Sequence, residues 1–201
     1  MHRAVAADLR SLTVSPRVLE VGAGNLNHWR YEPSVTHYEV VEPFDALLAT
    51  SPKRASLAAH YKDLSELPCE ARYDRIVSIA AFEHLLNLPW CIARCARALE
   101  PTGALRVAVP SEGGALWWLG WRLTTGLEFA WRYGLDYGEI MRHEHVSTVT
   151  DIDTLLRYFF SRVYRRRLGL SKHLSLYTFY HCVDPQRARC EAVLREAQIN
   201  R

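Results

Sequence analysis

No stretch of this 201-residue chain offers the roughly 18 uninterrupted apolar residues that a membrane-spanning helix needs, so no span is expected. Met1-His2-Arg3 leads into a mixed amphipathic stretch instead of an apolar segment, so no signal peptide is expected either. Cysteine is sparse and odd in number: Cys69, Cys91, Cys95, Cys182 and Cys190 have no framework spacing. That excludes a disulfide scaffold and points to a reduced, cytoplasmic setting. Cys91 and Cys95 share a helical face, but no second Cys/His pair at zinc spacing stands nearby; core packing is expected, and no metal. A formal charge of +3 is too small to imply nucleic acid. The one basic cluster, Arg165-Arg166-Arg167, is read as a solvated strand or loop face in preference to a phosphate- or lipid-facing patch. Repeats, low-complexity tracts and linkers are also missing, so residues 1–201 are expected to form a single domain with a full core.

What is present is an alternation of strand and helix signals, which argues for a parallel sheet covered by helices. A leading helix is expected over 3–12 and strands over 17–21, 37–42, 56–61, 73–79 and 104–109. Helical patterns cover 44–49, a long segment from about 83 to 99, and about 150–160. Candidate strands at 162–169 and 174–183 precede a charged amphipathic helix from Asp184 onward, whose Glu191, Arg195 and Glu196 suit a solvated or dimer-facing surface. Pro101-Thr102-Gly103 reads as a turn before the fifth strand.

The most informative stretch is Arg17-Val18-Leu19-Glu20-Val21-Gly22-Ala23-Gly24-Asn25-Leu26-Asn27. A strand that stops at two glycines lets the backbone turn tightly and approach a ligand, because no Cβ blocks either move. Glu20 sits at the carboxyl end of that strand, where open α/β sheets bind ligands. A carboxylate there favours an amino group or another cation over a pyrophosphate. Glu42, with Pro43 after it, ends the second strand, where an acid accepts from ribose hydroxyls in nucleotide-binding α/β folds.

The acid-x-Gly-x-Gly loop resembles motif I of the class I S-adenosylmethionine (SAM) dependent methyltransferases. Leu26 stands where a third glycine is common in that family, which implies a stiffer loop. The resemblance implies that Glu20 reaches the ammonium of the methionine part, that Gly22, Ala23, Gly24 and Asn25 pass close to methionine and ribose, and that Glu42 takes the ribose. It also implies that Asp63 accepts from the adenine amine while the Leu64 backbone holds the ring edge. A turn or N-cap aspartate is the plainer alternative for Asp63. Ala80-Ala81-Phe82-Glu83-His84-Leu85 is similar to the strand-end motif of the subgroup called type 11, with small residues Ala80 and Ala81 against the ligand. Glu83 is also explained as a charge favoured at a helix start. The features run in the family's order over residues 17–110. The fold so implied is α/β, a Rossmann-like doubly wound seven-stranded sheet, mostly parallel with one antiparallel strand, helices on both faces, and an aromatic cap insertion after strand five.

That insertion, 111–140, carries Trp117, Trp118, Trp121, Phe129, Trp131 and Tyr133. A cap over the acceptor site is expected; an added hydrophobic layer, or peripheral membrane contact through 117–132, is the alternative. His143 or His145 is the candidate general base for an acceptor hydroxyl. The activity implied is methyl transfer from S-adenosyl-L-methionine to a small-molecule or glycan/lipid-precursor acceptor. A non-catalytic binding protein of the same fold is the alternative. A nicotinamide-dependent oxidoreductase is disfavoured by Glu20, by Asn27 and by the lack of a Tyr-x-x-x-Lys pair. No Asn/Asp-Pro-Pro-Tyr signature follows strand four, which argues against methylation of nucleic-acid nitrogens.

Overall fold

The computed structural model describes residues 1–11, 14–111, 131, 146–169 and 175–199. Seven strands form one sheet in the order β3-β2-β1-β4-β5-β7-β6. The strands are β1 (Arg17–Val21), β2 (His37–Val41), β3 (Ala59–Tyr61), β4 (Tyr73–Ile79), β5 (Leu99–Pro110), β6 (Phe160–Gly169) and β7 (Ser175–Pro185). The first five pair in parallel, and β7 runs antiparallel between β5 and β6. Strand order therefore reverses between β1 and β4, and a crevice at the carboxyl ends of those strands is where such a sheet takes its ligand.

The sheet is buried on both faces, as its apolar strands require. Leu19, Val21, Ile76, Leu105 and Val107 pack against helices α3 (Leu88–Ala98), α4 (Val149–Phe159) and α5 (Arg187–Ile199). Val18, Val40, Val77 and Ala108 face the short α1 (His2–Val5), Leu48 of α2 (Asp45–Ala49), and Leu26 and Trp29 from the segment after β1. Cys91 and Cys95 lie in the first of these cores, as expected of an apolar helical face. Helix α5 is held to α3 by an Arg97–Glu191 ion pair of 2.8 Å and by Arg187, which donates to the Ala96, Arg97 and Leu99 carbonyls at the end of α3. Arg165–Arg167 lie on the edge strand β6 and are exposed, the solvated face expected of them.

Four sequence expectations are corrected. The leading helix covers only His2–Val5 and continues as a 3-10 turn, Ala6–Ser11. The third strand is shorter than 56–61, because Arg54–Ser56 forms a 3-10 turn. The long helix begins at Leu88, not near Glu83. The Asn87 side chain caps it by accepting the Trp90 amide, and Pro89 sits in its first turn, where a missing N–H costs nothing. Glu83 lies instead in a separate 3-10 turn, Phe82–His84, so no α-helix dipole accounts for it. Finally, Pro101-Thr102-Gly103 is a bulge inside β5: Tyr73 pairs with Leu99, yet Arg75 already pairs with Ala104. A Cβ on Gly103 would meet the Tyr73 carbonyl oxygen at 2.9 Å, which is why glycine stands there.

Candidate functional site

The loop after β1 leaves the sheet through two left-handed residues, Gly22 (φ 74°) and Gly24 (φ 53°), and then a third, Leu26 (φ 64°). A leucine pays for that conformation in strain that glycine avoids, so the backbone holds a glycine-like geometry at Leu26 without the glycine. Leu26 is compensated by burial against the second core. A Cβ on Gly24 would meet nothing within 4 Å, so the loop presents bare backbone to open space. A Cβ on Gly22 would lie 2.3 Å from the Ala81 Cβ; the loop is packed directly on the tip of β4. There Ala80 is itself left-handed (φ 53°), an outlier placed where the chain turns off the strand.

No α-helix follows this loop. Residues 22–36 are turns with one 3-10 segment, Trp29–Tyr31. The helix N-terminus that cradles a pyrophosphate in dinucleotide-binding folds is therefore not built.

Glu42 ties the β1 and β2 tips together. Its Oε2 accepts the Gly24 amide at 2.7 Å and its Oε1 accepts the Phe44 amide at 3.0 Å. The His60 ring donates to the Glu42 carbonyl at 2.8 Å. Pro43 ends the ladder, and Phe44 after it is 66% exposed, an aromatic face beside the acid. Asp63 follows β3 and caps a 3-10 turn, its Oδ1 accepting the Ser65 amide at 2.8 Å, while Leu64 is buried. The capping role is thus present; the adenine role is a matter for ligand.

Glu20 is buried, and Tyr38 Oη donates to its Oε2 at 2.9 Å. Tyr38 is in turn stacked on Trp29 with ring centroids 4.7 Å apart. Burial, aided by the negative charges of Glu32 and Glu42, holds the Glu20 carboxyl well above the usual range, and the Tyr38 hydrogen bond opposes this only in part. Among the described residues no cation pairs with it. Such a carboxyl is stabilised as an anion by a positive group brought to it.

Thus the structure brings Glu20, Gly22, Ala23, Gly24, Asn25, Glu42, Pro43, Asp63, Leu64, Ala80 and Ala81 to the carboxyl ends of four neighbouring strands, β3, β2, β1 and β4. His143 and His145, and the cap segment apart from Ser111 and the exposed Trp131, lie outside the described residues. Sequence reasoning missed Tyr38 and Phe44. A tyrosine on the adjacent strand, diagonal to the acid and on the same face, and an aromatic directly after Glu-Pro, were the signals available. Among the described residues no group of three His, Cys, Asp or Glu side chains is arranged to hold a metal, and no helix is long and apolar enough to cross a membrane.

The comparisons agree with this geometry. Residues 19–107 match the family described as "Methyltransferase domain", type 11. No curated protein sequence matches the chain. Among solved structures, a SAM-dependent methyltransferase from Thermotoga maritima, described as a possible histamine N-methyltransferase, superposes with a TM-score of 0.60 at 12% identity, over 90% of this chain and 88% of that one. NodS, an N-methyltransferase from Bradyrhizobium japonicum solved with S-adenosylhomocysteine, gives 0.59 at 17% identity over 90% and 85%. Phosphoethanolamine N-methyltransferase 2 of Haemonchus contortus gives 0.65 at 14% identity over 92% of this chain, which spans only 53% of that enzyme. At these identities the likeness is one of fold. The family model thus matches residues 19–107 of this chain, and the solved structures share its fold.

Proposed function

We propose that the chain binds SAM over the tips of β1, β2, β3 and β4 and passes its methyl group to a small-molecule or glycan/lipid-precursor acceptor. The observation that carries this reading is the glycine loop, packed on the β4 tip at Gly22, bare toward open space at Gly24 and pinned by Glu42 through the Gly24 amide. That cradle fits a nucleoside carrying an amino acid. Glu20, buried without a cation, is the group for the ammonium; Glu42 retains lone pairs for the ribose hydroxyls; Asp63, the Leu64 backbone and the face of Phe44 frame the adenine; Ala80 and Ala81 leave room at the β4 tip. SAM supplies an activated methyl on a sulfonium leaving group. The protein's part is then mainly alignment of acceptor, methyl and sulfur, which is where much of the acceleration for such a transfer arises.

The missing helix N-terminus after the glycine loop speaks against a nicotinamide dinucleotide at the same place. A cytoplasmic setting agrees with five free cysteines, four of them buried. His143 and His145 stay candidates for a base on the acceptor side; full turnover in both alanine variants would remove them. The deciding experiment is calorimetry with S-adenosylhomocysteine and with NAD, followed by transfer of labelled methyl from SAM into a cell extract. Binding of S-adenosylhomocysteine but not NAD, together with a labelled product, is the expected result. NAD binding alone, or no binding of either, would overturn the proposal, and binding without a labelled product would favour a non-catalytic role.

A further inference from the structure

Glu83 is the one carboxylate at the carboxyl ends of the described strands whose side-chain oxygens accept no hydrogen bond among the described residues. It follows the left-handed Ala80 and the loop-packed Ala81, in the 3-10 turn Phe82–His84. The residue is 2% exposed. Neither side-chain oxygen makes a hydrogen bond among the described residues. The turn is nonetheless firmly held: the Glu83 carbonyl accepts the Val146 amide at 3.0 Å and the Ser147 amide at 3.2 Å, just ahead of α4. Phe82, beside it in sequence, is fully buried in the core under β4. So the backbone is fixed against β5 and the start of α4 while the carboxyl group is left unanswered.

Buried carboxyls without partners are uncommon, because leaving an acceptor unmade costs the full desolvation of the group. The groups that face it are few. His84 Nε2 is 3.9 Å from Oε1, too far to bond. No other charged side chain among the described residues, from β5, from α4 or from the loop after β1, lies within ion-pairing distance of it. Burial pushes the carboxyl up to about 7. Glu20 serves the cofactor side of the crevice; Glu83 stands two residues past Ala81, in a turn that packs against β5, on the side away from the cofactor residues of β1, β2 and β3.

We propose that Glu83 recognises a protonated amine on the methyl acceptor and is the base for its methylation, so that the substrate class is an amine and the reaction an N-methylation. This rests on the SAM reading of the preceding section. In the step, the ammonium of the acceptor gives one proton to the Glu83 carboxylate and becomes a neutral amine. The amine's lone pair forms the new N–C bond, the C–S bond breaks, and its electron pair stays on sulfur. The product leaves as the methylated ammonium, and the Glu83 proton passes to solvent when the site opens. A carboxyl poised near neutrality suits both halves of the task, since it ionises to pair with the cation and is a stronger base than an ordinary glutamate.

The test compares the wild type with Glu83→Gln and Glu83→Asp by S-adenosylhomocysteine calorimetry and by labelled methyl transfer from SAM into the small-molecule fraction of a cell extract. Expected are S-adenosylhomocysteine affinities within about twofold of one another. Transfer should fall about 100-fold or more in Glu83→Gln, the size of a lost general base, and recover in part in Glu83→Asp. Wild-type transfer should rise with pH through an inflection near neutrality that Glu83→Gln lacks, and the labelled product should be retained on a cation exchanger. An uncharged labelled product, undiminished transfer by Glu83→Gln, or a wild type that binds S-adenosylhomocysteine and labels nothing would overturn the proposal. A wild type that fails to bind S-adenosylhomocysteine would instead remove the SAM reading on which it stands.

Discussion

Gly22 and Ala81 meet where the loop after β1 crosses the tip of β4: a Cβ added to Gly22 would sit 2.3 Å from the Ala81 Cβ. Gly22 also has φ 74°, so two independent penalties fall on any side chain there. Gly22→Ala is expected to destabilise the fold by about 2–3 kcal/mol, the sum of a left-handed alanine and an overpacked contact. Adding Ala81→Gly should relieve the contact and leave the backbone strain, recovering part of the loss. Urea denaturation of the two single variants and the double variant checks this, and strictly additive losses would refute the contact.

Leu26 offers a second check on the same loop. Replacing leucine by glycine ordinarily costs more than replacing it by alanine, by about 1 kcal/mol in backbone entropy. At φ 64° that order should invert, because alanine keeps the left-handed strain and glycine does not. Both variants lose the burial of Leu26 against the second core. Leu26→Gly is therefore expected to be at least as stable as Leu26→Ala in the same denaturation assay.

These two residues show what was readable in the chain and what was not. The strand at Arg17–Val21 was legible because an apolar run of strand length ended at glycines that permit a sharp turn, and the strand at Tyr73–Ile79 because its apolar run has strand length. The strand termini carrying Glu42 and Asp63 followed from the same rule. The start of α3 was misplaced because the apolar spacing runs on backward past Pro89 to Glu83, although Asn87 and Pro89 together mark an N-terminus. The bulge at Pro101–Gly103 was invisible, since only the partner strand shows that residues 100–103 are looped out between pairs. Glu83 read as a helix-start charge; its isolation is a property of tertiary packing that no local pattern encodes.

Arg75 anchors the other end of the sheet. From inside β4 its Nη1 donates to both oxygens of Glu32, at 2.8 and 2.7 Å, while Nε and Nη2 reach Asp8 and Nη2 also reaches the Val5 carbonyl. Glu32 is fully buried, with His28 Nε2 2.8 Å from its Oε1. Arg75→Leu would leave that carboxylate without its guanidinium and should cost about 3–5 kcal/mol, whereas an apolar replacement of both partners costs much less. The double variant Arg75→Leu/Glu32→Leu is thus expected to be more stable than Arg75→Leu alone, and a thermal-denaturation cycle reads the difference.

Glu83 makes a stability prediction that needs no acceptor. Burial raises its folded-state value from 4.5 to about 7, so the folded protein binds a proton more tightly than the unfolded chain does. The protonated group is favourable below pH 4.5, and that advantage is lost progressively as pH rises through about 7. Glutamine carries no such dependence. The stability of Glu83→Gln relative to wild type should accordingly increase between pH 4 and pH 8, levelling off at a gain of about 3 kcal/mol. Urea denaturation across that range measures it. A gain that does not change with pH would mean that the carboxyl is hydrated or paired in solution, and the case for an unanswered acid waiting at the tip of β4 would go with it. A gain of the expected form would mean that this chain gives up stability near neutral pH to keep an anion there, a cost recovered only when a cation is brought to the site.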